Sequence, residues 1–152
     1  MQFRAWDRDT QKMLYEDSNV SGDYLWQFNG EGQIVILAEQ QVDRMVGCLY
    51  HEQKDEWLPI DCDIMLFTGL IDKDGNKIYE SDILGGYPHG TAYVEWNSEY
   101  GCFESVSENN DYDNEGNGTV IKHGNLLAND LKDCFDNWTV IGNIYENPEL
   151  LS

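Results

Sequence analysis

Apolar and polar residues alternate along most of this chain in short stretches, the period of two that a half-buried strand needs. Phe3, Ala5 and Asp7 alternate with Arg4, Trp6 and Arg8, which predicts an opening strand. Lys12-Met13-Leu14-Tyr15 predicts a second extended piece. Tyr24-Leu25-Trp26-Gln27-Phe28 and Gln33-Ile34-Val35-Ile36-Leu37 read as a hairpin. Asn29-Gly30-Glu31-Gly32 between them supplies two glycines for positive-φ turn positions.

The pattern changes over residues 38–56. Val42, Met45, Val46 and Tyr50 recur at three- and four-residue intervals, as on one face of a helix. Gly47 and the β-branched valines weaken that assignment, and a strand through Met45 to Tyr50 is the competing reading. Strands are expected again at Cys62-Asp63-Ile64-Met65-Leu66-Phe67, at Ile78-Tyr79 and from Asp82-Ile83-Leu84. The polar run Asp72 to Lys77 forms a hairpin loop. Thr91 to Trp96 pairs with Tyr100 to Val106 across Asn97-Ser98-Glu99. Residues 107–118 are so polar that a mobile surface loop is expected. Leu126, Leu127, Leu131, Cys134 and Phe135 fall on one helical stripe, and Val140 to Tyr145 reads as a closing strand. These elements predict a mainly β protein, α+β at most. Its short antiparallel strands would form a small barrel or curled sheet, with one or two short helices.

Length and composition narrow the field. At 152 residues one domain is the default, and two small subdomains are the alternative. No apolar run approaches a membrane span, and charge interrupts the N-terminal segment where an export signal would need apolar residues. The cytoplasm of the producing cell is the expected location. Four cysteines without a CxxC pair read as reduced thiols. With 29 acidic and 9 basic residues the net charge is −20, which opposes direct binding to nucleic acid or to anionic membranes. The same charge leaves open a protein that imitates DNA and inhibits a host nucleic-acid-binding protein.

Three segments carry a family likeness. Phe3-Arg4-Ala5-Trp6-Asp7, continuing to Lys12-Met13, is similar to the start of the YopX family of phage and prophage proteins. The centre, from Phe67-Thr68-Gly69-Leu70 through Asp72-Lys73-Asp74-Gly75 to Tyr79-Glu80-Ser81-Asp82-Ile83, resembles that family's most recognisable motif. Val140-Ile141-Gly142-Asn143-Ile144-Tyr145-Glu146-Asn147-Pro148 resembles its ending. The resemblance implies a β-rich N-terminal subdomain at 1–60 and an SH3-type barrel at 61–152, or one compact unit. It also implies self-association, and it supplies no catalytic residue. One departure is Ser81, where the family usually has glycine. If that position needs positive φ, serine there costs about 1 kcal/mol.

The recurring residues read as architecture. Gly69, Gly75 and Gly142 suit turns or a bulge. Thr68, Asp82 and Asn143 are expected to bond backbone groups in turns. Trp6 is expected to face the core or a subunit partner, and Tyr79 and Tyr145 the edge of a core.

Catalytic and metal signals are weak. Asp72, Asp74 and Asn76 suggest a calcium loop, but Gly75 comes too early and Ile83 stands where the last carboxylate belongs. Asp111, Asp113 and Glu115 begin with better spacing and end on Lys122. Cys48 and His51 are too isolated to indicate a nucleophile and base, and Gly85-Gly86 lacks the lysine and helix of a phosphate loop. No catalytic, cofactor-binding or metal-binding residue is assigned, and no cofactor is expected. The expectation is a non-enzymatic protein acting through protein contacts, as a homo-oligomer or with a host or phage protein. The alternatives are the DNA mimic and a metal-dependent enzyme.

Overall fold

The computed structural model describes residues 2–16, 24–46, 50–86, 90–112, 118–125 and 138–151. The chain divides into two units, Gln2–Ile64 and, apart from Met1, Met65–Ser152. Each unit has its own hydrophobic core.

In the N-terminal unit, β1 (Phe3–Asp7) pairs antiparallel with β2 (Lys12–Tyr15), setting Ala5 opposite Leu14. The predicted aromatic hairpin is present as β3 (Tyr24–Phe28) and the start of β4 (Ile34–Val46), with Phe28 opposite Ile34 and Gly32 at φ +80°. β4 continues far beyond β3 and pairs with β5 (Tyr50–Pro59). Ala5, Leu14 and Ile36 form the core, with Tyr24, Trp26, Ile60 and Ile64 packed against them. Burying a side chain such as Ile36 contributes about 1.5–3 kcal/mol. Phe3 meets Trp26 at a ring-centroid distance of 5.0 Å.

β6 (Cys62–Ile71) runs on into the C-terminal unit, where Phe67 lies opposite Tyr79 of β7 (Lys77–Tyr79). β8 (Asp82–Gly86), β9 (Gly90–Asn97), β10 (Cys102–Tyr112), β11 (Gly118–Asn125) and β12 (Thr139–Asn143) form a sheet in the order β11-β10-β9-β8-β12. Leu84, Ala92, Val94 and Phe103 of this sheet pack with Ile78 and Trp138.

Three expectations are overturned. The first is the closed SH3-type barrel: the five strands form an open half-barrel that ends on β12 at one margin and β11 at the other. Backbone groups of β12 and of the residue before it are already engaged by the β6–β7 turn. Lys73 N–H donates to the Trp138 carbonyl at 3.4 Å, and Val140 N–H donates to Asp72 Oδ2 at 3.0 Å. The second is the short helix. No α-helix occurs among the described residues, and Pro148–Leu151 forms only a 3-10 turn. Val42, Met45, Val46 and Tyr50 lie in the β4–β5 hairpin, with Val42 opposite Lys54 and Val46 opposite Tyr50. The stripe from Leu126 to Phe135 lies outside the described residues. The third is the mobile loop at 107–118. Ser107 to Tyr112 belong to β10, and Ser107 pairs with Ile121. Residues 113–117 are not among those described.

Turns in both units share one device. An Asp or Asn at the end of a strand turns its Oδ1 back to accept N–H groups further along the chain, replacing the ladder bonds lost where the strand stops. Asp7 accepts from Asp9 and Thr10, Asn29 from Glu31 and Gln33, and Asp72 from Asp74 and Asn76. Asn97 accepts from Glu99 and Tyr100, and Asn143 from Tyr145 and Glu146.

Candidate functional site

Most of the motif residues read from the sequence lie in the C-terminal unit, and their polar atoms are occupied. Thr68 is buried; its hydroxyl donates to the Ile78 carbonyl at 2.7 Å and accepts the Leu70 N–H at 3.2 Å. Gly69 and Gly75 sit at φ +88° and +89° with open space where a Cβ would stand, so backbone conformation alone selects glycine there. Asp82, 1% exposed, accepts the Tyr79 N–H at 2.7 Å. Tyr79 is buried, 5.5 Å from the Phe67 ring.

Gly142 is selected by space: a Cβ there would meet Asn147 Oδ1 at 2.5 Å and its Cβ at 3.0 Å. Asn143 is buried, and its Nδ2 donates to the Glu146 carboxylate. Tyr145 is half-buried and donates its N–H to Asn143. Trp6, also half-buried, lies in β1 opposite Met13 in the N-terminal unit and does not join this group.

Ser81 adopts φ +67°, the conformation that glycine would take without strain. Its N–H donates to the Val94 carbonyl at 2.8 Å and its carbonyl accepts the Ile144 N–H at 3.0 Å. Two bonds, one to β9 and one to the residue that follows β12, hold the strained residue in place.

Asp72 carries more than the sequence reading gave it. Its Oδ1 accepts Asp74 N–H at 2.9 Å and Asn76 N–H at 2.7 Å. Its Oδ2 accepts Asn76 Nδ2 and Val140 N–H, each at 3.0 Å. Burial by itself would raise this carboxyl's pKa. The donors at Asn76, Val140 and Asp74 outweigh burial and hold it below the usual range. A carboxylate with its lone pairs committed to four N–H donors is poorly placed to ligate calcium. Among the described residues, no group of His, Cys, Asp and Glu is arranged to hold a metal. The Asp-x-Asp-Gly-Asn pattern was the available signal for this role, since it is the pattern of an Asx turn.

The N-terminal unit holds a second polar cluster. Asp61 and Asp63 both meet Arg8, which donates from Nε to Asp63 at 2.9 Å and from Nη1 to Asp61 at 3.2 Å; Nη2 also donates to Asp63. The two carboxylates raise the guanidinium's pKa. Cys62 lies between them in sequence. Burial, then the charges of Asp63, Asp7 and Asp61, push its thiol up to about 11, which makes it a poor nucleophile. Cys48 is outside the described residues.

Large apolar side chains remain on the surface. Leu25, Phe28 and Trp57 are exposed on the β3–β4–β5 sheet, and Trp96, Tyr100 and Ile141 in the C-terminal unit. These residues, which the sequence reading did not single out, form the most evident contact surfaces. The signal was the alternation in β3 itself, which places Leu25 on the opposite face from Tyr24 and Trp26.

Comparison with known families gives a match to the YopX protein family over residues 2–152. The chain belongs to the YopX family. The family comprises phage and prophage proteins, and this member is rich in β-strands. Among solved structures, protein EF1440 from Enterococcus faecalis is similar, with 25% sequence identity and a TM-score of 0.49, over 99% of this chain and 97% of that one. No curated protein matches. No helix among the described residues is long and apolar enough to cross a membrane.

Proposed function

We propose that this YopX-family protein works by binding another protein rather than by catalysing a reaction. The supporting observation is the division of labour among its side chains. Asp72, Asp82, Thr68 and Asn143 spend their polar atoms on hydrogen bonds within the fold, chiefly to backbone groups, while Leu25, Phe28 and Trp57 stay exposed on one small sheet. Exposed aromatic anchors are what a protein interface uses. On this reading the protein acts in the cytoplasm of the bacterial host, where its thiols stay reduced.

The test is affinity capture with the full chain as bait from host cells carrying the phage. A protein retained at stoichiometric yield by the wild type and lost by Trp57→Asp supports the proposal. Identical recovery by both baits overturns it for this sheet. A second copy of the chain is the other partner favoured by an observation, because Trp96 and Tyr100 are exposed around the β9–β10 turn. Sedimentation equilibrium of the wild type and Trp96→Asp separates that case.

A further inference from the structure

The three-stranded sheet of the N-terminal unit has two chemically different faces. Antiparallel partners share a face, and successive residues alternate between faces. Trp26 and Ile36 point to the core. The other face begins with a row across all three strands, Leu25 opposite Leu37 and Leu37 opposite Pro59. It continues with Trp57 opposite Glu39, Asp55 opposite Gln41, and Asp43 opposite Gln53. Leu25 is 45% exposed and Trp57 41%, and Pro59 is also exposed, whereas Leu37 between Leu25 and Pro59 is buried. Lys54, opposite Val42, lies on the core-side face. Over residues 34–43 and 53–59 the outer face therefore carries Glu39, Asp43 and Asp55 and no base.

We propose that this outer face docks a basic protein segment, one that sets an aliphatic or aromatic side chain beside arginine or lysine. The inference rests on the partner-binding reading above and adds the partner's chemistry. Leu25, Pro59 and Trp57 supply the exposed apolar seat, with buried Leu37 beneath it. Trp57 beside Glu39 offers a guanidinium both a ring face and a carboxylate. Asp55 and Asp43 extend the acidic track along the hairpin. A second copy is a poor occupant, because it would bring the same carboxylates and a net charge of −20 against them. Nucleic acid has the wrong sign.

The probe is a fluorescein-labelled synthetic peptide alternating leucine with arginine. Its controls replace arginine by glutamate or leucine by serine. Anisotropy titration of the full chain is expected to show binding of the leucine–arginine peptide that weakens with salt, and much weaker binding of both controls. Glu39→Arg, Asp55→Arg and Trp57→Asp should each lower affinity about tenfold or more, and Lys54→Glu should leave it unchanged.

No binding, equal binding of the glutamate peptide, or indifference to Glu39→Arg overturns the proposal. Conversion of a dimer to a monomer by Trp57→Asp, without peptide, assigns the face to a second copy and also overturns it. If Trp57→Asp loses its circular-dichroism signature, the exposed charge reversals carry the test. Loss of a captured host protein by Trp57→Asp, together with indifference to peptide charge, refutes the partner's chemistry and leaves the partner-binding reading standing.

Discussion

Asp72 and Val140 stand 68 positions apart in sequence, and the carboxylate of one accepts the backbone N–H of the other at 3.0 Å. The same side chain builds the turn between β6 and β7. One ionised group thus ties a local turn to the last strand of the sheet, which a short-range reading of the turn could not show.

Replacing Asp72 by alanine leaves several N–H groups without their acceptor and should cost about 2 kcal/mol or more. The pH dependence has a definite sign. The folded-state pKa lies below the unfolded value, so the carboxylate's stabilisation is present above the ordinary carboxylate range. It is lost as pH falls through the folded value. Urea unfolding of the wild type and Asp72→Asn at neutral and acid pH checks both points. The difference between the two proteins should shrink as the solution is acidified.

Ser81 offers a gain. Glycine at φ +67° relieves strain, so Ser81→Gly should stabilise the protein by about 0.5–1 kcal/mol, whereas Ser81→Val should destabilise it. Thermal melts of the two variants should move in opposite directions from the wild type.

Glu80 should show the reverse pH behaviour from Asp72. Burial, with Glu95 nearby, raises its pKa against the lowering effect of the Leu66 and Trp96 backbone donors. The raised folded value means that its protonated form is favoured in the fold, and stability is lost as pH climbs through the carboxylate range. Glu80→Gln, which keeps an acceptor oxygen, should be more stable than the wild type at neutral pH, with the advantage fading in acid. Chemical denaturation across that range measures it.

Cys62 should resist alkylation. With its thiol near 11, iodoacetamide labelling at neutral pH should be far slower than for an ordinary exposed thiol, and should accelerate about tenfold per pH unit toward the titration point. Peptide mass spectrometry after timed labelling reads the rate. Fast labelling of the native protein at neutral pH would contradict the burial and charge described for this site.

Local chemistry made some elements readable and hid others. Asn29 to Gly32 marked the β3–β4 turn because glycine and an Asx side chain act within a few residues. Glu39 to Val46 gave no alternating signal: Gln40 and Gln41 are both exposed, so the ribbon presents polar groups on either side. The scattered Val42, Met45 and Val46 then imitated helical spacing. Ser107 to Tyr112 misled in the other direction, since pairing with β11 fixes a strand whose composition alone suggested disorder. The Ser81 strain could be stated in advance only as a condition, because its φ is set by the bonds to Val94 and Ile144. The sidedness of β4 and β5 needed their register, which no single strand contains.

The engagement of β12 by the Asp72 turn bears on how copies could associate. A strand seeking to lengthen this sheet at that margin would find the Trp138 carbonyl and the Val140 amide already taken, and would first have to evict the turn. Runaway fibre growth is therefore opposed there by one carboxylate and one backbone N–H of the same turn.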